Sequence, residues 1–258
     1  MNQIGTGIPI VAIAAALMVV FAAGEVAAQA APTISGQAYP NKPVRVLVLV
    51  PLTPGGGADI IARVVSQRLT ETMGQQFVVD NRPGAEGSVA YELLAKSAPD
   101  GHTLALTTGS MVSAQLMSKM PYDALRDFAA VSALSAQPYI FCINISLPAR
   151  TVQEFVALAK ARPRAFNYAS SGIGGLIHLT GELFKWYGII TPARTPPDVV
   201  RALNREIVKA LQLPAVKSRL EADGSEPTGS TPAAFDAFMR AEYAKWGKVI
   251  KAAGIKVD

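Results

Sequence analysis

The sequence feature that most constrains this chain is a hydrophobic run, residues 44–50, that leads into consecutive glycines. The run is rich in valine and leucine and alternates little, which is typical of a strand buried on both faces of a parallel sheet. Gly55, Gly56 and Gly57 follow, where no side chain would keep a ligand away from the backbone. Asp59 then opens a predicted amphipathic helix. Together these parts direct unpaired backbone N–H groups at one place, where an anion is favoured.

Two nucleotide-binding motifs do not fit this loop. A phosphate-binding loop needs Lys and then Ser or Thr after its last glycine, whereas Ala58 and Asp59 follow Gly57 here. A dinucleotide fingerprint needs a glycine three positions later, where this chain has Ile60. The stretch alone therefore leaves two interpretations open, an anion site and a tight turn that binds nothing. For Asp59 we favour the role of helix N-cap over direct ligand contact.

The first thirty residues have the pattern of an export signal. Residues 8–23 are apolar but short for a membrane span, and residues 28–30 supply the small-x-small sequence of a cleavage site. We therefore expect a signal peptide over residues 1–30, cleavage after Ala30 and a periplasmic protein. An uncleaved anchor is the alternative, because the segment before the apolar run contains no Lys or Arg.

Charge and cysteine content exclude several classes of function. The chain has 24 Lys and Arg residues against 19 Asp and Glu, and they are scattered without interleaved aromatics. This pattern indicates solvated faces with a mild preference for anions and no nucleic-acid partner. The single Cys142 cannot form an internal disulfide and is expected in the core. With only His102 and His178 and no Cys/His cluster, neither a metal site nor a cofactor is expected.

Small-residue loops follow the other predicted strands as well. A strand at residues 77–79 leads to a loop containing Gly84, and a strand at residues 103–107 leads to Thr108, Gly109 and Ser110. In an open parallel sheet such loops lie together at the carboxyl ends of the strands, where ligands bind.

The second half of the chain repeats this design once and then becomes helical. The sequence predicts strands there at residues 139–145, 166–169 and 186–190. It predicts helices at residues 151–161, 176–185, 196–211, 215–222 and 232–253, after an earlier helix at residues 88–96. The loop before the helix at 176–185 adds hydroxyl groups to the glycines, through Ser170, Ser171, Gly172 and Gly174.

Several motifs in this order point to a known family. They are Tyr39-Pro40-x-Lys42-Pro43, Pro54-Gly55-Gly56-x-x-Asp59, Asn81-Arg82-Pro83-Gly84-Ala85, Pro99-Asp100-Gly101-x-Thr103-Leu104, Pro121-Tyr122-Asp123, Asn167-Tyr168-Ala169-Ser170-Ser171-Gly172 and His178-Leu179-x-Gly181-Glu182-Leu183-Phe184. The chain resembles the periplasmic substrate-binding proteins of tripartite tricarboxylate transporters, the Bug-type receptors.

The resemblance implies an α/β periplasmic binding protein-like fold of type II with two lobes. Such a protein closes on a small mono- or dicarboxylate and delivers it to a membrane permease. It is not an enzyme, and a monomer is expected. The resemblance also implies that the loops at Pro54–Asp59 and Ser170–Gly174 hold the ligand's carboxylate from opposite lobes. With the other small-residue loops at the strand ends and a histidine added, the candidate ligand-binding residues are Gly55, Gly56, Gly57, Asp59, Gly84, Gly109, Ser110, Ser170, Ser171, Gly172, Gly174 and His178.

This chain departs from the family pattern between Lys185 and Trp186. Relatives place several tens of residues of the second lobe there, whereas here a predicted helix runs straight into a strand without a turn residue. We therefore expect a truncated second lobe and impaired binding. The expected divisions are a signal peptide at 1–30, lobe 1 at 31–138, a remnant of lobe 2 at 139–187, and a mainly helical return segment at 188–258 that packs on lobe 1.

Two other functions stay open beside the receptor. The chain could be a non-binding remnant, or a structural or sensory partner that keeps only the first lobe. A serine hydrolase using Ser170 or Ser171 with His178 is the third interpretation. It is disfavoured because the sequence contains no Gly-x-Ser-x-Gly elbow and no evident acidic orienter.

Overall fold

One mixed sheet organises the part of the chain that the structure describes. A computed structural model describes residues 33–34, 37–50, 55–83, 87–138, 143–162, 165 and 184–252. Its strands are β1 (Thr33–Ile34), β2 (Gln37–Ala38), β3 (Val44–Val50), β4 (Phe77–Pro83), β5 (Thr103–Thr108), β6 (Phe128–Pro138), β7 (Phe184–Pro192) and β8 (Glu226–Pro227). The first two form a separate antiparallel pair, and the other six form a sheet in the order β4-β3-β5-β7-β6-β8.

The first half of this sheet is parallel, as the sequence predicts. β3 pairs in parallel with β4 on one side and with β5 on the other. Leu47 is buried against one face of the sheet, while Val46 and Val48 are buried against the other. The prediction that residues 44–50 form a strand covered on both faces is therefore confirmed.

The second half is antiparallel, and here one predicted strand is wrong at its described end. β7 lies between β5 and β6 and runs antiparallel to both. A strand was predicted at residues 139–145, but residues 143–145 are not in a strand and Ile145 is fully exposed. β6 comes earlier in the chain and is rich in small residues, which gave no strand signal.

The prediction of a helix at residues 176–185 is wrong at its C-terminal end. Phe184 and Lys185 belong to β7, so the strand is already extended where that helix was expected to finish. Residues 176–183, together with the strand predicted at 166–169, lie outside the described residues.

Most of the described helices cover the sheet, on both of its faces. The helices are α1 (Gly57–Met73), α2 (Ser88–Ala95), α3 (Ser110–Met117), α4 (Val152–Ala161), α5 (Pro197–Gln212), α6 (Pro214–Glu221) and α7 (Pro232–Ala252). α1, α5 and α6 share one buried apolar cluster with the sheet, and α2, α3 and α7 share the other. The helices predicted at 88–96, 151–161, 196–211, 215–222 and 232–253 are confirmed to within two residues at each end.

Two predicted helix starts have the capping bonds that their sequences favour. Thr151 accepts a hydrogen bond from the backbone of Glu154 at 3.2 Å, and Thr231 accepts one from Ala234 at 3.2 Å. α4 nevertheless buries none of its residues. Among the described helices none is long and apolar enough to cross a membrane. The division into lobes stays a prediction.

Candidate functional site

The candidate site is built at the carboxyl ends of three parallel strands. β3 and β4 end side by side, with Val50 opposite Pro83, and β5 ends next to them at Thr108. The loops that follow these strands therefore leave the sheet along one edge. Gly84, the predicted site residue after β4, lies outside the described residues.

The backbone of the glycine loop is exposed at Gly55 and Gly56. Gly55 has a φ of +100°, a left-handed conformation that favours glycine, and Gly56 is the N-cap of α1. Among the described residues, a Cβ atom added at either position would have no neighbour within 4 Å. The first backbone bond of α1 runs from the N–H of Ile60 to the oxygen of Gly56, at 3.1 Å, so the preceding N–H groups stand at the helix N-terminus. Such a backbone can be approached closely by an anion.

Asp59 holds this loop in place from inside the helix. The prediction that Asp59 is the N-cap is wrong, because α1 begins earlier, at Gly57, and Gly56 caps it without a side chain. The Asp59 carboxylate instead reaches back to accept a hydrogen bond from the N–H of Gly55 at 3.0 Å. It also accepts one from Nε of Arg63 at 2.9 Å and one from Nδ2 of Asn81 at 3.0 Å.

These bonds keep the buried Asp59 carboxylate charged. The hydrogen bond from Arg63 lowers the pKa of Asp59, burial opposes it, and the bonds from Asn81 and Gly55 lower the pKa further. The side chain is 5% exposed. Since both of its oxygens already accept protein donors, its evident role is to position the loop. Its predicted contact with a ligand stays a prediction.

The third predicted loop closes on itself through hydroxyl groups. Oγ1 of Thr108 lies 2.7 Å from Oγ of Ser110 and 3.3 Å from the N–H of the same residue. Gly109 is the N-cap of α3. The loop thus places Thr108 and Ser110 hydroxyls at the same edge of the sheet as the glycine loop, where they could donate to a ligand.

Two side chains that the sequence did not single out meet the glycine loop. A Cβ atom added at Gly57 would lie 2.9 Å from Oδ2 of Asp223 and 3.0 Å from the hydroxyl oxygen of Tyr187. Tyr187 is in β7, opposite Thr108 of β5 and Ser135 of β6, and it is fully buried. Because Gly57 has no side chain, a carboxylate and a phenol can approach the start of α1 directly.

Only the three-dimensional fold brings these two residues to the loop. Asp223 follows α6, more than one hundred and sixty positions along the chain from Gly57. Its approach depends on the packing of α6 against α1 and on β7 entering the middle of the sheet. No spacing pattern carries that information, although the aromatic residue at the start of an apolar strand could have been weighed as a site residue.

The other predicted ligand contacts cannot be compared with the structure. Ser170, Ser171, Gly172, Gly174 and His178 all lie outside the described residues. Within the described part of the chain, no three His, Cys, Asp or Glu side chains are placed to share a metal ion. The described site is therefore a backbone loop with hydroxyl, phenol and carboxylate neighbours.

Comparison with known proteins connects this chain to one family. The sequence profile for the "Tripartite tricarboxylate transporter family receptor" matches residues 61–185 and again residues 182–255. Protein BugT of Bordetella pertussis is 27% identical over 309 residues, with 88% of this chain and 94% of BugT covered. That alignment is longer than the 258 residues of this chain, and the two profile matches meet next to Lys185 and Trp186.

Solved structures agree with the sequence match. The structure of R. palustris Rpa4515 with adipate has a TM-score of 0.73 and 25% identity, covering 84% of this chain and 99% of the other. The periplasmic binding protein BugD has a TM-score of 0.72 and 20% identity, with the same coverage of both chains. The fold is therefore that of the periplasmic binding proteins of this family.

Proposed function

We propose that this chain, which belongs to the tripartite tricarboxylate transporter receptor family of Bug-type proteins, is an exported receptor for a small carboxylate. The observation that carries the proposal is the glycine loop, whose backbone is exposed at the start of α1 in a member of that family. A related protein of known structure holds adipate. A mono- or dicarboxylate of similar size is the ligand class that this chain would take.

The geometry suggests how the first half of such a site would work. The N–H groups at the start of α1 replace the water around the ligand's carboxylate, and the aligned helix dipole favours its charge. The Thr108 and Ser110 hydroxyls would add donors from the adjacent strand end. The loop containing Ser170 and Gly174 would approach from the opposite lobe, and closure would complete the site.

We further propose that binding is impaired because the second lobe is truncated between Lys185 and Trp186. The alignment to BugT exceeds the length of this chain, which supports an internal gap relative to that protein. The two profile matches overlap at residues 182–185, which supports the same position for the gap. A protein that gains affinity by closing two lobes loses contacts when one lobe is shortened. A non-binding remnant, with a structural or sensory role, is the alternative.

Delivery to a membrane permease and export to the periplasm are part of the proposal. Export is supported by the apolar segment and the small residues at 28–30. Intact-mass analysis of the exported protein is expected to give a species that begins at Ala31. A mature species that retains residues 1–21 would indicate an uncleaved anchor instead.

The central experiment is a calorimetric screen of small carboxylates against the purified mature protein. Mono- and dicarboxylates of two to six carbons are the probes, with an uncharged amide of each as the matched control. The proposal expects weak, saturable binding of at least one carboxylate and none of its amide. If no carboxylate binds at concentrations up to about 10 mM, the non-binding alternative replaces the receptor.

A further inference from the structure

We propose that Arg63 is a positioning residue of this site, whose guanidinium neutralises the Asp59 carboxylate so that the glycine loop can accept a ligand carboxylate. The inference rests on the proposed function and accounts for an anion site that is built around an acidic side chain. It concerns a residue that acts through Asp59 and not through contact with the ligand.

The Asp59 carboxylate is attached directly to the glycine loop. Its Oδ2 atom accepts a hydrogen bond from the N–H of Gly55 at 3.0 Å, and the residue is buried. Since that N–H is already used, the groups left for a ligand are the N–H of Gly56 and those of the first residues of α1. A carboxylate bound there would lie close to a second negative charge, and the two would repel because a buried charge is poorly screened.

Arg63 supplies the opposite charge from the next turn of α1. Its Nε atom donates to the same Oδ2 atom at 2.9 Å, whereas Oδ1 accepts a bond from the neutral side chain of Asn81 at 3.0 Å. Among the described residues, the ion pair of Asp59 is the one with Arg63. The hydrogen bond from Arg63 is also the main cause of the lowered pKa of Asp59. The charge of the buried carboxylate is therefore balanced by Arg63.

The same contact keeps Asp59 from occupying the anion site itself. A carboxylate in the first turn of a helix can accept hydrogen bonds from the free N–H groups of that turn and so compete with a ligand. Here the described bonds of the carboxylate go to Gly55, Arg63 and Asn81. Removal of Arg63 would release Oδ2 from one of its two donors and leave an uncompensated negative charge beside the loop.

A second arginine on α1 shows what an ordinary surface ion pair would do. Arg68 pairs with Glu71 across one turn, as Arg63 does with Asp59. Glu71 is exposed, however, and such a pair contributes little to stability or to the field at a distant site. Arg68→Gln removes the same charge from the same helix as Arg63→Gln and is therefore the matched control.

The test is a double-mutant cycle on the full mature chain. The variants are Arg63→Gln, Asp59→Asn, the two combined, and Arg68→Gln. The probes are succinate, glutarate and adipate, each with the monocarboxylate of the same length. Ligand-observed NMR titration measures dissociation constants into the millimolar range, and thermal unfolding establishes that each variant is folded at the temperature of the titration.

Arg63→Gln should weaken the probe that the wild type binds most tightly by at least about fivefold, and Arg68→Gln by less than about twofold. Adding Asp59→Asn to Arg63→Gln should recover at least about threefold, because the uncompensated charge is gone. A purely structural role predicts no recovery, since the double variant changes two members of the network. Equal dissociation constants for Arg63→Gln and Arg68→Gln, or a double variant that binds no more tightly than Arg63→Gln, would overturn the proposal and leave the receptor function standing.

Arg63→Lys separates charge from geometry and serves as the second variant if Arg63→Gln does not fold. Lysine keeps the positive charge on the same turn but lacks the planar guanidinium. Its dissociation constant should stay within about threefold of the wild type, and a larger loss would overturn a role based on charge. If neither these probes nor the wider carboxylate screen shows binding to the wild type, the receptor function itself fails, and the role of Arg63 fails with it.

Discussion

At the scale of single residues, Asp59 makes the glycine loop a preformed element. Its carboxylate connects the loop at Gly55, the next turn of the helix at Arg63 and the neighbouring strand at Asn81. A loop that is already ordered before binding loses little conformational entropy when a ligand arrives. The loop should therefore keep its geometry whether or not the second lobe is complete.

The bonds of Asp59 predict a pH dependence of stability. Because Arg63 above all lowers its pKa, the folded-state pKa lies below the unfolded value of about 3.9. The stabilisation is fully present above the unfolded value and is lost as the pH falls through the folded-state pKa. Asp59→Asn should lower the free energy of unfolding at neutral pH and flatten its decline below about pH 4.

Urea unfolding at a series of pH values measures this effect. The control is Asp236→Asn, which removes an exposed ion pair to Arg240 and should leave the wild-type dependence in place. If the free energy of unfolding of Asp59→Asn changes with pH in parallel with that of the wild type, the role assigned to Asp59 is contradicted.

Gly56 offers a test of binding that spares the fold. Its φ of −74° suits any residue, and an added Cβ would meet no atom of the described residues within 4 Å, so Gly56→Val should keep the fold. The valine would occupy the space above the loop and weaken carboxylate binding by more than about 1 kcal/mol. His178→Ala should weaken carboxylate binding less than Gly56→Val does. Calorimetry with the ligand found in the screen measures both, and an unchanged dissociation constant in Gly56→Val would remove this loop from the site.

The sequence predicted one half of the candidate site better than the other. Strand ends and glycines are local features, so the loop at Gly55 and the loop at Ser110 could be placed on one sheet edge. The approach of Tyr187 and Asp223 depends on long-range packing that no local pattern encodes. The error at Asp59 is also local, since the boundary of a helix is less certain than its existence.

At the scale of secondary structure elements, β7 is the segment on which the sheet depends. It separates the parallel strands from β6 and contributes buried residues to both apolar clusters, Ile189 to one and Ile190 to the other. The sequence predicted this strand from its apolar residues, but it did not predict which strands lie beside it in the sheet. β6 was missed because alanine and serine have weak strand preferences, and burial between β7 and β8 decides their conformation.

Gly188 is where β7 meets α7. A Cβ atom added there would lie 2.1 to 2.9 Å from the ring of Phe235, which is 1% exposed and packs edge-on against Trp186. The ring cannot move aside cheaply, so Gly188→Ala should destabilise the protein by about 1–3 kcal/mol. The control is Gly247→Ala in α7, whose nearest neighbour would be 3.8 Å away and which should stabilise the helix by about 0.5–1 kcal/mol. Equal unfolding free energies for the two variants would contradict the close packing at Gly188.

At the scale of the whole molecule, the described helices differ in how well they are packed. The six-stranded sheet has helices packed on both faces, and the largest fully buried side chains of the described chain include those of α1, β7 and α7. α4 has no buried residue, and Val152 and Val156 are 59% and 43% exposed. Its apolar residues are those expected to pack in a second lobe, which supports the proposal that part of that lobe is missing.

The proposed truncation predicts that this chain binds its ligand poorly or not at all. A closing receptor holds its ligand from both lobes, and each lost charge-assisted contact costs about 1.5–3 kcal/mol. Two such losses would turn a micromolar site into one in the millimolar range. Inserting the corresponding segment of BugT between Lys185 and Trp186 should restore the packing of α4 and raise affinity, while an insert of the same length composed of Gly and Ser should not. Calorimetry and thermal unfolding on the three proteins measure this, and micromolar binding by the chain without an insert would refute the prediction.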